Sequence, residues 1–93
     1  MPESNGHWPT TVAGAVRVLL SFLTKRDKLA LQRLKEKDLA VVHIGVGMFI
    51  REEFGLWEGN RALLKACGST SMHPEDASMV IMKALWKRVR KKK

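Results

Sequence analysis

The sequence predicts an all-α fold of about five helices, packed around one buried helix over residues 38–54. Three observations predict it. Apolar residues recur at three- and four-residue spacing along most of the chain. Strand-like alternation is scarce and tyrosine is absent. Helix start and stop signals cut the chain into segments of helical length.

Taken in order, residues 1–6 are polar and are expected to be disordered. His7, Trp8 and Pro9 lead into the first helix, which Thr10 or Thr11 can cap by accepting a first-turn amide. Val12, Val16, Leu19 and Leu23 give it an apolar stripe, onto whose start Trp8 is expected to fold back. Thr24 and Asp27 have the spacing of a capping box, and a short helix is expected from about Asp27 to Leu34, burying Leu31 and Leu34. Lys35 and Glu36 connect it to the next segment.

That segment, DLAVVHIGVGMFIREEF from Asp38 to Phe54, is expected to be the centre of the fold. Leu39, Val42, Val46, Phe49 and Ile50 form one apolar stripe, Ala40, Ile44 and Met48 another, and Val41 a third. Charges sit only at its ends. A helix apolar all round is expected to be buried, and this one is too short for the roughly 20 apolar residues of a membrane span. Gly55 provides a left-handed stop.

Asn60 can cap a short helix that ends at Cys67 before Gly68, with Leu63, Leu64 and Cys67 inward. His73-Pro74-Glu75-Asp76 is a helix start, with proline at the first position and acids against the positive dipole end. The last helix is expected to bury Ala77, Val80, Ile81, Ala84, Leu85 and Val89. Residues 91–93 are expected to be a disordered basic tail. At 93 residues the chain is read as a single helical domain, 1–93, able to bury roughly 60–65% of its unfolded surface.

The formal net charge of +8 admits nucleic acid, an anionic surface or an acidic protein as partner. Much of it sits at one end, on Lys87, Arg88, Arg90, Lys91, Lys92 and Lys93. The single cysteine, Cys67, excludes an internal disulfide and suits a cytoplasmic location. No basic stretch followed by an apolar run opens the chain, so no signal peptide is expected.

Candidate sites are few. Gly45-Val46-Gly47 lacks the third glycine and the strand–turn context of a dinucleotide loop. Gly47 shares a stripe with His43, Ile50 and Phe54, which places a close helix crossing there. His43 has no second ligand at helical spacing and no neighbouring carboxylate, so a hydrogen-bonded core histidine is the simpler reading. His43, Cys67, His73 and Asp76 match no zinc spacing. Cys67 ends a helix, where the dipole opposes a thiolate, so it reads as core filling. No cofactor is expected.

Two groups remain as candidate binding residues. Arg51, Glu53, Trp57 and Asn60 place charges and an aromatic around a glycine-flanked turn, and Trp and Arg are favoured at binding hot spots. An ion pair and a tryptophan lid are the plainer account of them. Lys83, Trp86, Lys87 and Arg90 interleave cations with an aromatic on the last helix. That arrangement suits stacking on bases or, more simply, a lid with cation–π neighbours.

The strings Gly45-Val46-Gly47-Met48-Phe49, Ile50-Arg51-Glu52-Glu53-Phe54-Gly55-Leu56-Trp57, Leu63-Leu64-Lys65-Ala66-Cys67-Gly68 and His73-Pro74-Glu75-Asp76-Ala77-Ser78, with Leu85-Trp86, resemble a family of small uncharacterised bacterial helical proteins. The resemblance runs from Trp8 to Trp86. It implies a small bacterial all-helical domain and transfers no catalytic or binding residue. The reading is therefore a non-catalytic protein-binding or adaptor domain whose partner is another protein. The alternative is a nucleic-acid-associated protein using the basic C-terminal helix and tail, with weak, salt-sensitive binding.

Overall fold

A computed structural model of the chain describes residues 8–91. These residues form five α-helices with no strand among them: α1 (Val12–Phe22), α2 (Lys25–Arg33), α3 (Leu39–Glu53), α4 (Arg61–Cys67) and α5 (Pro74–Lys91). A single 3-10 turn, Glu36–Asp38, leads into α3. The expected disorder at 1–6, 92 and 93 lies outside the described residues, whereas Lys91 closes α5.

Local chemistry sets the helix starts. Thr11 Oγ1 accepts from the Gly14 amide at 2.9 Å and begins α1. Thr24 and Asp27 form a complete capping box: the Asp27 amide donates to Thr24 Oγ1 at 3.1 Å, and the Thr24 amide donates to Asp27 Oδ2 at 3.0 Å. Helix α2 therefore begins at Lys25, two residues earlier than expected, because Asp27 is its third residue and not its first. The bonds from Thr24, backbone first, hold the Asp27 carboxyl below its ordinary pKa. Asn60 caps α4 through Oδ1, which accepts from the Leu63 amide at 3.2 Å. Ahead of Pro74, His73 Nδ1 accepts from the Glu75 amide at 3.0 Å.

Helix α3 ends as its glycine requires. Gly55 has φ +67°, and the Leu56 amide donates back to the Arg51 carbonyl at 3.0 Å. A Cβ at Gly55 would lie 2.3 Å from the Trp8 ring. Trp8 therefore packs over the end of α3, a contact beyond the start of the α1 stripe expected from the sequence.

The centre of the fold is α5 and not the 38–54 helix. Helix α5 packs against α1, α2, α3 and α4. It buries Ala77, Ser78, Ile81, Met82, Leu85, Trp86 and Val89, an arc too wide for one partner. Val80 and Ala84, expected inside, are only half-buried. Helix α3 buries one stripe, Leu39, His43, Gly47 and Ile50, against α5. Its other side is open: Val41 is 70% exposed, Ile44 73%, Met48 53% and Phe49 41%. Apolar composition marks a helix as able to be buried. Whether it is depends on how many neighbours surround it, and the 18-residue α5 meets four.

Candidate functional site

Two of the residues proposed from sequence as a recognition surface face inward. Asn60 is buried, and its Nδ2 donates to the Phe54 carbonyl at 2.8 Å and to the Pro9 carbonyl at 3.0 Å. It ties the chain entering α1 to the turn after α3. Arg51 Nη1 donates to Ser78 Oγ at 3.2 Å. Glu53 and Trp57 face outward, and Trp57 meets His73 edge-on with ring centroids 5.4 Å apart.

The second group is likewise divided. Trp86 is 8% exposed, and its Nε1 donates to the Leu34 carbonyl at 3.0 Å. The Arg90 guanidinium lies 4.7 Å from the Trp86 ring centroid. That is the geometry of a cation–π lid. Lys83 pairs with Glu36 at 3.0 Å, and the ammonium lowers the Glu36 pKa. Lys87 is exposed.

The structure also brings together residues that sequence reasoning kept apart. His43 Nε2 lies 2.6 Å from Ser78 Oγ, and both residues are buried. A serine against a histidine suggests an activated nucleophile. The hydrogen-bond count gives a different answer. Ser78 donates its one proton to the Glu75 carbonyl at 2.8 Å. With its proton on that carbonyl, the Ser78 oxygen accepts from Arg51 and from the Nε2-protonated tautomer of His43. Ser78 is fully buried and its hydroxyl is engaged within the chain, so it is not presented to a substrate. Burial, then the Arg51 charge, push the His43 pKa down, with Glu75 opposing. Ser78 was legible in principle, since it shares a helical stripe with Met82, Leu85 and Val89.

Cys67 is a half-buried free thiol whose Sγ donates to the Ala77 carbonyl at 3.6 Å. Burial raises its pKa, which is the opposite of what a reactive cysteine needs. Among the described residues, no three His, Cys, Asp or Glu side chains gather into a group able to hold a metal ion. None of the described helices is long and apolar enough to cross a membrane.

Two surface features remain. The first is the outer face of α3, where Val41, Ile44 and Met48 lie exposed in one stripe beside the uncovered Gly45. Phe49 borders it and meets Phe22 of α1 edge-on, with centroids 5.8 Å apart. The second is an open groove of about 340 Å³ where α1, α2 and α5 meet. Leu20, Leu29 and Val89 line it together with Lys25, Lys28 and Arg88. Gln32 anchors one wall by donating to the Val89 carbonyl at 2.8 Å.

The sequence profile of a domain of unknown function, DUF6794, matches residues 8–89. No curated protein and no solved structure matches the chain.

Proposed function

We propose a non-catalytic protein-binding role for this chain, which belongs to the DUF6794 family, a domain of unknown function. The supporting observation is the outer face of α3. Three large apolar side chains, each more than half exposed, stand in one stripe on a regular helix. Large contiguous apolar patches are uncommon on monomeric surfaces and mark sites of association. A helix face of this kind docks by burying its anchors at i, i+3 and i+7, here Val41, Ile44 and Met48. Glu53 and Trp57 are exposed contacts that a partner reaching beyond the helix would meet. The proposal keeps the bacterial, cytoplasmic setting expected from the sequence, with which a free thiol is compatible.

A second reading also has an observation behind it. Lys25, Lys28 and Arg88 line one groove, so the basic surface extends beyond the C-terminal tail. Cations so placed suit phosphates. The leucine and valine floor offers no aromatic platform on which bases would stack, which favours the protein-binding reading.

Affinity capture from the source cell tests both, with and without nuclease. The baits are wild type, Ile44→Glu and the triple reversal Lys25→Glu/Lys28→Glu/Arg88→Glu. Nuclease-resistant partners lost with Ile44→Glu are expected. Partners that vanish with nuclease and with the triple reversal, but persist with Ile44→Glu, overturn the protein-binding reading.

A further inference from the structure

Resting on that reading, we propose that the α3 face docks a second copy of this chain, antiparallel, about a two-fold axis passing beside Ile44 and Gly45.

The placement of the face residues carries this. At 100° per residue, Val41, Ile44, Met48 and Glu52 of α3 fall within an arc of about 80°, and Lys37 lies in the 3-10 turn that leads into the start of the helix. An antiparallel pairing centred between Ile44 and Gly45 brings the two copies of Ile44 together and sets Val41 level with Met48 and Lys37 level with Glu52. A two-fold axis repeats each of these contacts. The stripe is thus self-complementary: apolar in the middle, a cation at one end and an acid at the other. A parallel pairing would set Lys37 against Lys37 and Glu52 against Glu52. The helix dipoles also favour the antiparallel arrangement.

The two glycines of α3 supply an independent observation. Gly47 is accounted for within one chain, because the His43 ring and Arg51 occupy the space its Cβ would take. Gly45 has no such account. Nothing lies within 4 Å of where its Cβ would be, yet glycine weakens a helix interior. An open glycine at the rim of the face lets a partner helix approach closely, which gives Gly45 a packing role. The terminal charges are also uncommitted. Among the described residues Lys37 and Glu52 join no ion pair, while the neighbouring Glu36 is held by Lys83 at 3.0 Å.

The expected association is weak. A 15-residue helix is about 22 Å long, and one such face falls short of the roughly 800 Å² per partner typical of stable complexes. The net charge of +8 opposes association. Salt screens charges more than about 10 Å apart.

Sedimentation of the full chain, from about 10 µM to 1 mM, tests the proposal. Wild type should pass from monomer to dimer with concentration, and Ile44→Glu should stay monomeric with its helical signal intact. Lys37→Glu and Glu52→Lys should each weaken the dimer about three- to tenfold, because two attractive contacts become repulsive. The double variant Lys37→Glu/Glu52→Lys should return to within about twofold of wild type, because its contacts are attractive again. A wild type monomeric throughout overturns the proposal. So does a dimer indifferent to Ile44→Glu, or a double variant no better than the singles. If wild type is monomeric but Ile44→Glu still loses its partners in affinity capture, the self-association fails alone. If Ile44→Glu changes neither experiment, the protein-binding reading fails with it.

Discussion

Substituting alanine at Gly47 and at Gly45 should change stability in opposite directions, although the two positions are two residues apart on the same helix. At Gly47 an added Cβ would lie 2.5 Å from the Cδ2 and Nε2 atoms of His43 and 3.0 Å from Arg51 Nη1. A flexible side chain would simply move aside. His43 is held on its far side by the 2.6 Å contact to Ser78 and is 9% exposed, so displacing it breaks a buried hydrogen bond. Overpacking costs about 1–3 kcal/mol, and a buried polar group left without its partner costs about 1–3 kcal/mol more. Replacing glycine in a helix returns about 1 kcal/mol. The net expectation for Gly47→Ala is a loss on the order of 1–5 kcal/mol. Gly45→Ala meets nothing within 4 Å and should gain about 0.5–1 kcal/mol from helix propensity. Urea denaturation monitored by circular dichroism measures both, read at concentrations where the chain is monomeric. Each kcal/mol should also move the thermal midpoint by roughly 4–8 °C in a domain of this size. A Gly47→Ala variant as stable as Gly45→Ala would show that the His43 ring yields without penalty, and the account of the α3–α5 crossing would fall.

Further predictions follow from the same crossing and from the last helix. Ser78→Ala removes the acceptor for both His43 and Arg51, so it should destabilise by about 1–3 kcal/mol, read by the same denaturation. Stability should fall as pH drops below about 6.5, the ordinary histidine value. Above that value His43 is neutral in both states. Below it the unfolded chain takes up a proton that the folded chain, with His43 buried beside Arg51, resists. The loss should stop growing once the folded-state pKa is passed, and His43→Gln should remove this part of the pH profile. Trp86→Ala should cost about 3–5 kcal/mol of stability, because it removes a buried ring and its bond to Leu34. At temperatures where that variant stays folded, titration with single-stranded DNA should show binding no weaker than wild type.

Most of the fold was legible because helix boundaries are written in short-range chemistry. Thr11, the Thr24–Asp27 pair, Asn60 and the His73–Pro74 start act within three or four residues, and each appears where its spacing implies. The stripe of His43, Gly47, Ile50 and Phe54 was likewise legible, and it is the side of α3 that is buried. The identity of the central helix was not. Periodicity shows which side of a helix is apolar and does not count the neighbours that will cover it. Helix α3 has apolar residues on every side and too few neighbours, so Val41, Ile44 and Met48 remain outside. The open face is therefore visible only once the packing is known.

The candidate residues separate for a related reason. Arg51 and Asn60 carry polar groups suited to recognition, but those groups are used inside the chain, on Ser78, Phe54 and Pro9. Sequence shows hydrogen-bonding capacity and does not show which capacity folding consumes. The His43–Ser78 contact joins residues 35 positions apart, and no local spacing encodes such a pair.

The central claim is that the outer face of α3 is where this protein meets its partner. Photo-crosslinking in the source cell tests it most directly, with a diazirine side chain at Met48 and, in a second protein, at Lys87 on α5. The Met48 probe should yield discrete protein–protein adducts that disappear when Ile44→Glu is added, while the Lys87 probe yields none that depend on Ile44. The opposite result, silence at Met48 and nucleic-acid adducts at Lys87, would contradict the account and move the site to the basic groove between α2 and α5.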